Sequence, residues 1–137
     1  MTANVYAHSD GESVVLGAGG AEGIVYNAQG LKYPRIVQNI NVQTGTTYSL
    51  VLSDVNKLIT LSNASPVTLT IPTNSVVAFP IGTTVDAVQY GVGQLTISGA
   101  GVTIRNTPGN KARAQYSGVT MIKIATDEWL LVGDLTA

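Results

Sequence analysis

The chain has no cysteine among its 137 residues. That excludes disulfides, a thiolate nucleophile and any metal site built on thiolates. Charge is scarce too: 11% of residues are Asp, Glu, Lys or Arg, against about 25% in a typical soluble domain. Thr, Ser, Asn and Gln must then do the solvating, or partner chains must cover part of the surface. The seven Lys and Arg are scattered, and the net charge is −1. Nucleic-acid binding needs clustered cations that displace phosphate counterions, so no nucleic-acid partner is expected. Apolar runs are only a few residues long, far short of the roughly 20 that span a bilayer as a helix; no membrane partner is expected either. The opening residues, MTANVYAHSDGES, have neither the basic nor the apolar region of a secretory signal.

Groups for chemistry are equally sparse. The single histidine, His8, lies in a polar segment with few carboxylates nearby, whereas a metal site usually needs three or four ligands and a triad needs an oriented base. A solvated residue is the simpler reading. Gly17-Ala18-Gly19-Gly20-Ala21-Glu22-Gly23 resembles a phosphate loop only superficially. It lacks the Gly-Lys-Ser/Thr ending, and no helical pattern follows it. Asp127 and Glu128 are neighbours in a turn, whereas paired catalytic carboxylates converge from separate elements. Asp86, mid-strand, reads as an outward polar residue or an interchain partner. No catalytic residue, metal or cofactor is therefore expected.

What is abundant is Val, Thr and Gly, with 15 glycines. Branching at Cβ favours strands, and glycine suits tight turns. From about residue 46, alternation with period two recurs in short stretches. Val67, Leu69 and Ile71 alternate with Thr68 and Thr70, and Leu95 and Ile97 with Thr96 and Ser98. Pro72 ends the first of these, since proline cannot donate to a ladder. In residues 85–90 the face with Val88 and Tyr90 is the more apolar. Gly91-Val92-Gly93 suits a tight hairpin. Ile122 and Ile124 are expected inward, with Met121 and Lys123 opposite, and Trp129 with Leu131 on the last long strand. Flanked by apolar residues, Trp129 is the expected core anchor. About nine strands, no helical period and no internal repeat of 20–50 residues give an all-β fold. The expectation is a single antiparallel β-sandwich or jelly-roll-like barrel spanning residues 44–137.

Residues 1–43 have a different texture. Short apolar islands sit among closely spaced glycines, none long enough for an ordinary half-buried strand. This predicts an extended Gly-rich N-terminal arm that docks on a partner, with Tyr26, Leu31, Tyr33, Pro34 and Ile36 as its contacts.

Three motifs carry a resemblance: IPTNSVVAFPIGT at residues 71–83, GVGQLTI at 91–97, and IATDEWLLVGDL at 124–135. In order and spacing they resemble a β-module of tailed-bacteriophage virion proteins, found in capsid decoration (cement) proteins and in head and tail fibres. The resemblance spans roughly residues 44–135. It implies a structural protein on the outer surface of the virion capsid. It implies a homotrimer that binds the major capsid protein at capsomer junctions and stabilises the shell. The chain's length suits a decoration protein better than a long fibre. The alternative is a fibre or tail module that binds a host receptor or carbohydrate.

Overall fold

The computed structural model describes residues 38–137 in full and, among residues 1–37, the backbone of four short strands. The chain divides into two compact units, Met1–Gln38 and Asn39–Ala137. In the first, β1 (Val5–Ala7), β2 (Val14–Leu16), β3 (Gly23–Tyr26) and β4 (Lys32–Arg35) pair antiparallel in chain order. Strands thus stand where the sequence suggested an extended arm. Each apolar island is too short to be a strand alone, but islands laid side by side supply one another's ladder partners.

The second unit begins earlier than expected. Its first strand, β5 (Ile40–Gln43), falls within the segment read as arm. There follow β6 (Thr47–Ser49), a single 3-10 turn (Leu52–Asp54), β7 (Leu58–Leu61), β8 (Val67–Pro72), β9 (Thr84–Gln89) and β10 (Leu95–Ala100). The chain closes with β11 (Thr103–Arg105), β12 (Lys111–Ala112), β13 (Gly118–Ala125), β14 (Glu128–Gly133) and β15 (Leu135–Thr136). The unit is all-β, with a six-stranded sheet ordered β11-β14-β13-β9-β7-β5 and a five-stranded sheet ordered β15-β12-β10-β8-β6.

Both sheets are mixed, which corrects the antiparallel expectation. From β5 to β10 the chain crosses from one sheet to the other at every strand, so β5, β7 and β9 lie parallel, as do β6, β8 and β10. A parallel neighbour requires a crossover connection; here the crossover is a strand of the opposite sheet. One pair in each sheet shares an offset of 28 positions: Leu58 faces Asp86, and Val67 faces Leu95, whereas Ile40 faces Leu58 and Thr47 faces Thr68 at shorter offsets. The corners of these two coils also stack. The Gly93 amide donates to the Asn63 carbonyl at 2.9 Å, and a Cβ on Gly93 would collide with the Ser65 carbonyl. Gly91-Val92-Gly93 is therefore a corner between sheets, not a hairpin. The repeat that sequence similarity did not disclose is a repeat of geometry.

Inward residues of both sheets share one core, which includes Val67, Leu69, Ile71, Leu95, Ile97, Trp129 and Leu131. Two strands face the other way from the sequence reading. On β9 it is Val85, Ala87 and Gln89 that are buried, while Tyr90 is exposed. On β13 it is Val119, Met121 and Lys123, while Ile122 is half-buried and Ile124 exposed. The outward faces of the sheets differ. On the five-stranded sheet, Thr47, Thr68 and Thr96 align in one row and Ser49, Thr70 and Ser98 in the next.

Candidate functional site

Trp129, read as the core anchor, is buried and meets Phe79 edge to face, with ring centroids 5.5 Å apart at 89°. Of the residues assigned to partner docking, Tyr26 lies in β3 and Tyr33 and Pro34 in β4. Leu31 and Ile36 fall outside the described residues, as does His8.

The site with the most construction behind it is the loop at residues 73–83, between β8 and β9. Pro72 ends the strand before it, because proline has no N–H for the ladder. Below the loop lies Lys123, only 2% exposed. Burying a lysine is costly unless its donors are satisfied. Here Nζ donates to Asn74 Oδ1 at 2.6 Å and to the Phe79 carbonyl at 2.7 Å. The Asn74 amide in turn donates to Asp127 Oδ1 at 2.7 Å. Asp127 sits in the β13–β14 turn, so side chains at both Lys123 and Asp127 tie the loop to that hairpin, and the Lys123 backbone pairs with Gly82 and Thr83 as well. Thr83 Oγ1 donates to the Pro80 carbonyl at 2.7 Å and closes the loop at its end. Phe79 points into the core, while Val76 and Ile81 stand 73% and 66% exposed. The result is a pinned loop that presents two aliphatic side chains to solvent. Most of the residues that pin it belong to the stretches carrying the resemblance.

A second feature is an exposed aromatic pair. Tyr90 and Tyr116 meet edge to face at 5.7 Å. Tyr116 holds φ at 70°, a left-handed conformation that side-chain-bearing residues seldom adopt. Its amide donates to the Gln89 carbonyl at 2.6 Å, and Gln115 Nε2 donates to the Tyr90 carbonyl at 3.1 Å. Asp134 braces the same loop. It accepts from Arg113 Nε at 2.8 Å, from Arg113 Nη2 at 2.9 Å and from Ser117 Oγ at 2.6 Å. The hydrogen bonds from Arg113, then that from Ser117, hold the Asp134 carboxyl below the usual carboxylate range, and Asp134 raises Arg113 correspondingly.

A third cluster, centred on Asp54, was not singled out by the sequence, in which Ser53-Asp54-Val55-Asn56 has the composition of an ordinary turn. Asp54 is 0% exposed. It accepts from Asn41 Nδ2 at 2.9 Å, Tyr48 OH at 2.8 Å and the Val51 amide at 2.9 Å, while Gln43 Nε2 donates to Asn41 Oδ1 at 2.8 Å. Burial and the Asp54 carboxylate raise the Tyr48 phenol above its ordinary value. Alternating polar residues on β5 were the available signal: Asn41 and Gln43 turn inward while Ile40 and Val42 face out. The cluster fills the interior at the first coil with hydrogen bonds in place of apolar packing. Asp86 lies half-buried on the outer side of β9 and accepts from Thr120 Oγ1 at 2.6 Å. Among the described residues no group of three His, Cys, Asp or Glu is placed to hold a metal ion.

These arrangements are suited to holding surfaces still. The buried polar groups are joined to one another and to the backbone, and the exposed side chains they position are aliphatic and aromatic. No family model matches this chain, and no curated protein matches it.

Proposed function

We propose that this protein is a bacteriophage capsid decoration protein. It stabilises the head shell by binding the major capsid protein at capsomer junctions, on the outer surface of the virion. The observation that carries the reading is the pinned loop at residues 73–83. Val76 and Ile81 are held out in water by a loop that accepts hydrogen bonds from a buried lysine and donates one to a turn carboxylate. Apolar side chains on a rigid support give contact area with little ordering cost on binding. The two mixed sheets, stacked over one core, form a β-sandwich that serves as that support. The resemblance to virion modules rests on the same residues.

The protein acts as a homotrimer, and the first unit docks on the capsid through Tyr26, Leu31, Tyr33, Pro34 and Ile36. Three linked contacts then share one effective concentration, and binding to the assembled shell alone stabilises that shell by mass action. A second reading, a fibre or tail module that binds a host receptor or carbohydrate, is favoured by one observation. Tyr90 and Tyr116 form an exposed, braced aromatic corner on which a sugar ring stacks.

The test uses the purified full chain and heads of its source phage stripped of it. The decoration reading expects saturable cosedimentation and recovered resistance of the heads to heat and osmotic shock. Both should be weakened by Val76→Asp together with Ile81→Asp. Failure to cosediment, with binding to host cells that is lost in Tyr90→Ala and Tyr116→Ala, would select the second reading.

A further inference from the structure

The two outward sheet faces are chemically opposite. On the five-stranded sheet the outward rows are Thr and Ser, which water solvates well. On the six-stranded sheet the outward positions include Ile40, Val42, Leu58, Val88, Ile122 and Leu130. Their registers make one continuous face: Ile40 pairs with Leu58, Val42 with Thr60 and Thr60 with Val88, while Thr84 pairs with Ile122 and Ile122 with Leu130. The charged residues lie mostly at its margin, where Arg105 Nε meets Glu128 Oε1 at 2.6 Å. Inside the margin the one carboxylate is Asp86, which already accepts from the Thr120 hydroxyl on the same face. Asp86 stands in the middle row, between Leu58 and Thr120, with apolar positions on both sides of it, so the face as a whole is poor in charge, as the centre of a protein interface is.

We infer that the outer face of the six-stranded sheet is where copies of this chain pack on one another. The inference deepens the trimer reading above, on which it rests only for the number of copies. Two observations favour a second copy over another occupant. The first is charge: the face carries no cationic cluster to meet an acidic partner or an anionic membrane, and its sparse charge matches only a surface equally sparse. The second is area. The six strands have from three to eight residues, about 10–26 Å each, and at about 4.8 Å spacing they give a face of about 500 Å² in plan, so two faces bury about 1,000 Å². That reaches the threshold of about 1,000 Å² that a biological interface must clear. Three flat faces turned towards a threefold axis close a triangular core, with the Thr and Ser rows outermost.

The test needs no phage particle, so its failure is separate from failure of the decoration reading. Light scattering of the full chain at micromolar concentration should give a multiple of 14.2 kDa. Val88→Lys, on a middle strand of the face, should give monomer with unchanged circular dichroism, and Thr70→Lys on the opposite sheet should remain assembled. As a second measure, Val88→Cys and Thr70→Cys place single thiols in a chain that has none. Maleimide should label residue 88 at least about tenfold more slowly than residue 70, the least that a stably buried face gives. A monomeric wild type, an assembled Val88→Lys, or equal labelling at the two positions would each overturn the inference. Protection of residue 88 in a monomeric sample would assign the face to residues 1–38 instead, and would overturn it as well.

Discussion

Lys123 shows how one residue can organise a surface it does not itself reach. Its stem passes through the core between β13 and the loop at residues 73–83, and its Nζ ends on Asn74 and the Phe79 carbonyl. Lys123→Met keeps the length and apolar bulk of the stem but leaves a buried carbonyl without its donor. That should cost about 1–3 kcal/mol, a fall in melting temperature of roughly 4–8 °C per kcal/mol for a unit of this size. The loss should be local first. Hydrogen exchange should quicken at residues 73–83 while β8 and β10 stay protected. An unchanged melting temperature, or exchange that quickens evenly everywhere, would show that the loop is held by something else. The same residue marks a limit of sequence reading. Ile122 and Ile124 outweigh Lys123 in hydropathy, so pattern alone puts the isoleucines inside. What reverses it is a pair of acceptors 44 and 49 residues away.

At the scale of strands, alternation was legible and orientation only partly so. β8 and β10 read correctly because each has Val, Leu or Ile on one face and Thr or Ser on the other. β9 did not, because Gln89 sits on the buried face. Its Oε1 accepts from the Leu95 amide at 3.0 Å, a bond that only the folded chain supplies. Parallel pairing was not legible either, since period two is common to parallel and antiparallel strands. The Asp54 cluster was hidden for a related reason: a polar turn looks alike whether it meets water or its own Tyr and Asn. The corners carried a signal that was misassigned. Gly91 and Gly93 suggested a hairpin, whereas they are glycines because another corner passes directly beneath. Gly93→Ala should therefore destabilise by about 1–3 kcal/mol, the usual cost of overpacking a close contact. Gly45→Ala, whose Cβ would meet only ordinary contacts, serves as the control. Equal denaturation midpoints for the two variants would contradict the stacked corner.

The whole second unit is a core shared by two sheets whose outward faces differ in composition. Its coils also have a consequence for growth. Each coil rests on the one before: the step from β7 to β9 and that from β8 to β10 both take 28 residues, while the earlier steps, from β5 to β7 and from β6 to β8, take 18 and 21. Nothing about that step is tied to the number of times it is taken. A chain in which residues 62–89 are duplicated in tandem should accept the extra turn as one more strand in each sheet, as arrays stabilised by nearest-neighbour stacking do. Strand content by circular dichroism should rise while the unfolding transition stays single. A second, lower transition would show that the added turn does not dock. On this view length is an adjustable quantity of the architecture, and a short cap and a longer shaft differ by a count of turns laid on the same template.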